Sequence, residues 1–326
     1  MRGRRCRHRR DRSSREDSME YPFSAIAVDV GGTKVACALV RYEQGGQAPA
    51  IVEKRTVATC AQEGGEAVLD RIVAAVRDMR DFALETGESL AGIGVGTAGR
   101  VDARDGSIAY ANEIMPGWTG RPVAARLRDE FSMPVAVLGD VQSHALGEAR
   151  WGAARGAETC IVMAPGTGLG GGLIVGGRIV RGAHGFAGEI GAMPNTLAAG
   201  DGNLESVASG SGIEARYEAR TGLRLSGADI SARANAGEPE ARATIENAGR
   251  ALGIALAGWA NMLDPEMAVV SGSVVKAGPV WRNALHEAYV EHAPAVLGGL
   301  PIVDASLGDA APLIGAAENL LDSLEG

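Results

Sequence analysis

The sequence predicts an α/β protein of two domains, on three observations. Apolar, strand-like runs alternate with amphipathic helical patterns along the chain. At 326 residues it is longer than one ordinary core organises. Its 47 glycines, about twice the usual share of ~7%, cluster in "GVGTAG", "PGTGLGGG" and "VGGRIVRGAHGFAGEIG". Clusters of this kind are expected where backbone turns close to a ligand, rather than in a linker.

Taken in order, "AIAVDVGGTKVACALV" (25–40) reads as two apolar strands broken by an acid and a pair of glycines. A polar connection follows. The next segment, "EAVLDRIVAAVRDMRDFALETG", repeats Leu69, Ile72, Val73, Val76 and Met79 at helical spacing, and Gly87 stops it. "AGIGVG" is a short buried strand. Pro122 opens a helix with Val123, Leu127 and Phe131 on one face, and "MPVAVLGD" is a strand ending at Asp140. The helix "VQSHALGEARWGAA" comes next. "TCIVMAP" then feeds the second glycine cluster, and "GGLIVGGRIV" reads as a hairpin around Gly176-Gly177. Ile245, Leu252, Leu256, Trp259 and Leu263 mark a long helix over 239–263. "MAVVSGSVV" is a strand and loop, "PVWRNALHEAYVEHA" a helix. "APLIGAAENLLDSL" is a final amphipathic helix through Leu313, Ile314, Ala317, Leu320 and Leu321. No short repeat is visible.

The charge is uneven. Residues 1–20 hold eight Arg and four acids, so the net −8 leaves −12 on the remainder once the tail's +4 is removed. An acidic body argues against nucleic acid as a partner, because phosphate contacts need Lys and Arg. The Arg-rich tail lacks the apolar stretch of a signal peptide and reads as a disordered extension, with Met19 as a plausible internal start. The four cysteines, Cys6, Cys37, Cys60 and Cys160, are scattered without zinc-site spacing, and Cys37 suits a core strand. No run of 18 apolar residues offers a membrane span. Together these predict a reducing, cytoplasmic compartment.

"GTGLGG" (166–171) satisfies the dinucleotide pattern G-x-G-x-x-G, with Glu189 about twenty residues on. That motif must open a helix, whereas "GGLIVGGRIV" is β-branched and glycine-paired, so a Rossmann site is rejected. "DVGGTK" is no Walker loop either, because a strand follows it. What remains is a tight hairpin whose N–H groups can face an anion, with Thr33 and Lys34 adding donors and Asp29 suited to Mg²⁺ through water. An ordinary hairpin turn is the plainer alternative. Two such hairpins, one in each half, would grip a nucleoside triphosphate. Asp140, at a strand end and helix start, reads equally as a general base or as a helix N-cap.

"DVGGTK", "GTGLGGG" and "GFAGEIG" together resemble the ROK family of sugar kinases and repressors. "MPGWTG", "GDVQSHALGEARWG", "LESVASGSGI" and "NMLDPEMAVVSG" extend the resemblance from about residue 24 to the end. It implies an actin-like, hexokinase-type ATPase fold with two domains closing over a cleft. The implied division is an extension over 1–22, an N-terminal domain over 23–138 with the helix 309–326 packing back onto it, and a C-terminal domain over 139–308. By resemblance, Asp29, Gly31, Gly32, Thr33 and Lys34 hold the ATP phosphates from one side, and Gly166, Thr167 and Gly168 from the other. Gly272, in "SGS", frames the adenosine. Asp140 matches the catalytic base. Glu189, Glu205, Gly139 and, more loosely, Asn112 match sugar-binding positions. ATP and Mg²⁺ are the implied cofactors, and a homo-oligomer, dimer or tetramer, the implied assembly.

Three departures stand out. Gly139 replaces the Asn that usually precedes the base, and Ala192 replaces the His of E-I-G-H. "NTLAAGDGNLE" contains none of the three cysteines that normally bind a structural zinc with that His. Loss of all four ligands together predicts no bound zinc. The smaller side chains open room for a bulkier acceptor such as an N-acetylhexosamine. Two functions follow: an ATP-dependent kinase acting on a hexose or N-acetylhexosamine, glucose and N-acetylmannosamine foremost, or a degenerate sugar or nucleotide sensor. Fewer than 25 residues precede the first strand, too few for the DNA-binding domain of a ROK repressor.

Overall fold

The computed structural model describes residues 20–198 and 201–325. The first sheet is ordered β3-β2-β1-β4-β7. Its strands are β1 (Phe23–Val30), β2 (Lys34–Tyr42), β3 (Ala50–Ala58), β4 (Leu90–Thr97) and β7 (Val135–Gly139). β1, β2 and β3 form an antiparallel meander, while β4 and β7 add in parallel. A small hairpin, β5 (Arg100–Val101) and β6 (Ile108–Tyr110), stands apart. The helices of this half are α1 (Gly65–Glu85) and α2 (Val123–Phe131), and α3 (Asp140–Trp151) follows β7.

The second sheet repeats the plan. β8 (Cys160–Pro165), β9 (Leu169–Val175) and β10 (Arg178–Ile179) form the antiparallel meander, and β11 (Met267–Val270) and β12 (Ile302–Asp304) the parallel extension, in the order β10-β9-β8-β11-β12. Around it lie α4 (Glu205–Ala208), α5 (Gly210–Thr221), α6 (Gly227–Asn235), α7 (Pro239–Leu263) and α8 (Pro279–His292), and α9 (Ala311–Leu324) ends the chain. The halves thus share a topology without sharing a visible sequence repeat.

The periodic residues of α1 pack as the pattern demands: Leu69, Ile72, Val73, Val76 and Met79 are all buried against Ile26, Val28, Ile93 and Val95. The opposite face of the first sheet carries Ala25, Ala27, Ala36 and Ala38, and α9 lies on it through Leu313, Ala316, Ala317, Leu320 and Leu321. Small side chains let the helix approach so closely that a Cβ on Gly94 would overlap the carbonyl of Ala316. In the second half α7, α5 and α6 cover one face. α3 covers the other through Ala145, Leu146 and Ala149, against Cys160, Val162 and Ile174. Each sheet is therefore covered by the helix that follows the last strand of the other sheet. The two helices cross at bare backbone, where a Cβ on Gly315 would overlap Ser143 O and one on Gly147 would overlap Ala311 O.

Some expectations need correction. The polar connection after residue 42 contains the edge strand β3, whose half-buried Glu53 and exposed Lys54 and Arg55 disguise it. Helices α4 to α6 and strand β12 also went unread. The expected disordered extension falls mostly outside the described residues, although Tyr21 packs at a tilt against Phe23 with ring centroids 5.0 Å apart. No helix among the described residues is long and apolar enough to cross a membrane. Cys37 and Cys160 are buried free thiols, each pushed up to about 12 by burial.

Candidate active site

The turn Gly31–Thr33 joins β1 to β2, and the turn Gly166–Gly168 joins β8 to β9, so the two glycine turns fall at equivalent places in the two sheets. In the first, Gly31 N–H donates to Lys34 O at 2.9 Å. Buried Thr59 holds the turn from behind: its Oγ1 donates to Gly31 O (2.6 Å) and its N–H to Thr33 O (3.0 Å). With both carbonyls engaged, the side left for an incoming anion is the N–H side, as a phosphate nest requires. A Cβ on Gly32 would come within 2.7 Å of Ile114 Cγ2, so the loop after β6 leans on this turn.

Asp29 lies near the end of β1, paired with Ala36 on β2 and Gly96 on β4. Burial, and after it the charge of Asp140, raise its carboxyl to about 6, against the pull of Lys34 and Lys54. Asp140 is the first residue of α3, directly beyond β7. The N-cap position belongs to Gly139, and the Asp140 carboxylate accepts from the adjacent Val141 N–H at 2.8 Å instead of capping the first turn. The N-cap alternative is thereby corrected. Burial raises the Asp140 carboxyl above the usual carboxylate range, while the Val141 bond and the Arg100 guanidinium pull it back.

In the second turn Gly166 N–H donates to Gly168 O (2.8 Å), and the start of α5 takes up the outward carbonyls: Gly210 N–H to Gly166 O (2.7 Å) and Ser211 Oγ to Thr167 O (2.7 Å). Gly272, at φ +82°, presses against Pro165 so closely that a Cβ would overlap its carbonyl. The loop after β11 thus meets the turn after β8. Glu205, at the start of α4, accepts from Leu169 N–H at 2.7 Å and would lie 2.7 Å from a Cβ on Gly168. One of its oxygens therefore braces the turn.

Arg100, which the sequence reading missed, links the halves. From β5 it forms an ion pair with Glu189 and lies over the Phe186 ring, 5.4 Å from its centroid. Burial lowers its pKa, and the charges of Asp140, Tyr110 and Glu205 oppose that shift. Four of the named acids, Asp29, Asp140, Glu189 and Glu205, thus belong to one electrostatic neighbourhood. Asn112 does not join it: it is exposed, and its Oδ1 accepts from Ile114 N–H at 3.2 Å. Nothing in the sequence beyond the neighbouring "GTAG" turn pointed to Arg100.

The glycine clusters also divide. Gly170 and Gly172 lie flat against Val141 and Ala145 of α3, and Gly171 meets Gly188 backbone to backbone. Those glycines serve helix–strand approach rather than a ligand. The segment that matches the family's zinc loop is braced by its own contacts. A bridge joins Pro194 and Asn203, Leu204 N–H donates to Met193 O (2.7 Å), buried Asn195 donates to Asp201 O (3.0 Å), and Arg216 pairs with Asp201 (2.9 Å). Among the described residues no cluster of three His, Cys, Asp or Glu is placed to hold a metal.

Two α/β halves with matching glycine turns and acids at the strand ends define an actin-like ATPase fold. Residues 25–322 match the ROK family, and the chain belongs to that family. It is 32% identical over 312 residues to a glucokinase of Halalkalibacterium halodurans, covering 89% of this chain and 92% of that one. It is 31% identical over 306 residues to an N-acetylmannosamine kinase of Escherichia coli, covering 90% and 97%. Among solved structures it resembles a ROK family glucokinase from Streptomyces griseus in complex with glucose and AMPPNP, with a TM-score of 0.72, 28% identity, and 90% and 98% of the two chains covered.

Proposed function

We propose that this chain is an ATP-dependent carbohydrate kinase that transfers the γ-phosphoryl group to a hydroxyl of a hexose or N-acetylhexosamine, with Asp140 as general base. Glucose and N-acetylmannosamine are the leading acceptors, in line with the names of the relatives. The observation that carries the reading is the gathering of Asp140, Glu189 and Glu205 about Arg100, with Asp29 coupled to Asp140 beside the first glycine turn.

The residues present fit the expected ligands. The Asp140 charge raises the proton affinity of Asp29, two neighbouring carboxylates suit a divalent cation, and Asp29 would hold Mg²⁺ through water. Gly31 to Lys34 would donate to the phosphates from one half, and Gly166 to Gly168 from the other, where a Cβ on Gly166 would meet open space. The loop at Gly272 would frame the adenosine. Bound with the nucleotide, Mg²⁺ supplies charge neutralisation at the phosphates.

Glu189 and Glu205 accept hydrogen bonds from sugar hydroxyls, with Gly139 and Asn112 at the margin of that site. Asp140 accepts the proton of the attacking hydroxyl while the oxygen bonds to the γ-phosphorus and the bond to the ADP oxygen breaks. Burial favours the protonated product form of Asp140, and the Val141 N–H and the Arg100 charge oppose that shift. Without the four usual ligand residues, the chain would work as a zinc-free member of its family.

The test is a coupled ADP-release assay with ATP and Mg²⁺ against glucose, N-acetylmannosamine, N-acetylglucosamine, fructose and mannose. Turnover of one sugar, lowered at least a thousandfold by Asp140→Asn with ATP affinity within about twofold of wild type, is the expected result. Equal loss of ATP binding in that variant overturns the role of Asp140. Silence across the panel with ATP still bound overturns the kinase reading and leaves a sugar or nucleotide sensor.

A further inference from the structure

Gln142 joins the helix that begins at Asp140 to the loop that carries Glu189. It is the third residue of α3, only 7% exposed, and its Nε2 donates to the carbonyl of Ala187 at 3.0 Å. Ala187 stands two residues before Glu189. Its own N–H donates to Arg181 O (3.2 Å), and Glu189 N–H donates to Phe186 O (3.2 Å), so the loop is a chain of local turns. The Gln142 bond ties that series to α3.

The same side chain fills the space beside Gly139. Its Oε1, Cδ and Cγ lie 3.3, 3.7 and 3.8 Å from the position of a Cβ on that glycine. The backbone at 139 does not require glycine, for φ −62° and ψ 147° suit any residue. A Cβ at 139 would therefore press on the present placement of Gln142, which must give way by a few tenths of an ångström, and larger side chains would press further.

We propose that Gln142 is a positioning and specificity-determining residue of the acceptor site: its carboxamide fixes the Glu189 loop relative to Asp140, and its bulk occupies the space that a side chain at 139 would take. The acceptor part rests on the kinase reading, whereas the positioning part stands without it. Gln142→Met keeps the length and removes the donor, and Gln142→Ala also empties the space.

Amide hydrogen exchange on the full chain separates the two claims. Both variants should speed exchange of amides 185–190 about tenfold while amides 166–168 keep wild-type rates. Unchanged exchange at 185–190 overturns the positioning role, whether or not any sugar turns over, and equal acceleration in both segments overturns it as mere loosening. With the sugar that wild type phosphorylates, Gln142→Met should raise its KM about tenfold and leave the KM for ATP within about twofold. Gly139→Asn should raise the sugar KM in wild type but not in the Gln142→Ala background, because the competition has been removed. Additive effects of those two substitutions overturn the shared-volume argument, and a wild type without turnover on any sugar overturns the acceptor assignment.

Discussion

At the scale of single residues, Asp29 holds a carboxyl where the fold disfavours its charge. In the unfolded chain it titrates near its ordinary value of 3.8, and in the folded chain at about 6. Below about pH 4 both states are protonated and nothing is lost, while above about pH 6 both are ionised and the whole cost stands, on the order of 3 kcal/mol. Asp29→Asn should therefore stabilise the ligand-free protein by a few degrees of melting temperature at pH 8, and the gain should vanish by pH 4. No gain at pH 8 would contradict the burial argument. Proton and cation compete for the same carboxylate, so Mg²⁺-dependent ATP affinity, followed by calorimetry, should weaken as the pH falls through about 6. Asp29 and Asp140 were legible because each stands at the end of an apolar strand, where a carboxylate is costly without a purpose. Arg100 and Gln142 were not, for an Arg in a loop and a Gln on a helix are ordinarily solvated, and their partners lie 89 and 45 residues away in sequence.

At the scale of elements, α3 and α9 meet through backbone at Gly147 and Gly315, and no side chain can be inserted there without separating them. Gly315→Ala should lower stability by ~3 kcal/mol or more in urea unfolding. Gly176→Ala, on a hairpin tip with nothing within 4 Å of its Cβ, should cost much less, though its φ of +59° carries some strain. Comparable losses would mean that the crossing tolerates a shift. Helices α1, α7 and α9 announced themselves because long apolar stripes face a sheet. α5 and α6 each bury three residues, Gly212, Ile213 and Tyr217 in one and Ile230, Ser231 and Ala234 in the other, too few for a period to show. β3 escaped because an edge strand with water on most of its length has no apolar alternation to display.

At the scale of the whole molecule, the proposed reading gives each half one phosphate-holding glycine turn, so that neither half would bind the nucleotide well without the other. ADP release without sugar should then be slow, with the preferred acceptor raising it at least tenfold, since closure over the sugar completes the site. A sugar-independent rate of equal size would argue against that coupling. The segment after Ala192 lacks the usual zinc ligands, and Asn195, Asp201 and Arg216 contact one another there, so elemental analysis should find no stoichiometric zinc, and EDTA should leave the melting temperature unchanged. The pairing of the halves was invisible in the sequence because what is duplicated is strand order, and unlike residues fill the two cores.

The exchange of covering helices has a consequence for how the chain is made. The alanine-lined face of the first sheet is shielded by α9, whose residues are synthesised only after every strand of the second sheet. At ~5–20 residues per second, a nascent chain carries that apolar face naked for on the order of ten seconds, longer than a small domain needs to collapse. Half of the molecule therefore waits, assembled but unsealed, on the ribosome for its far relation to emerge, and in that interval it is a natural client for a chaperone.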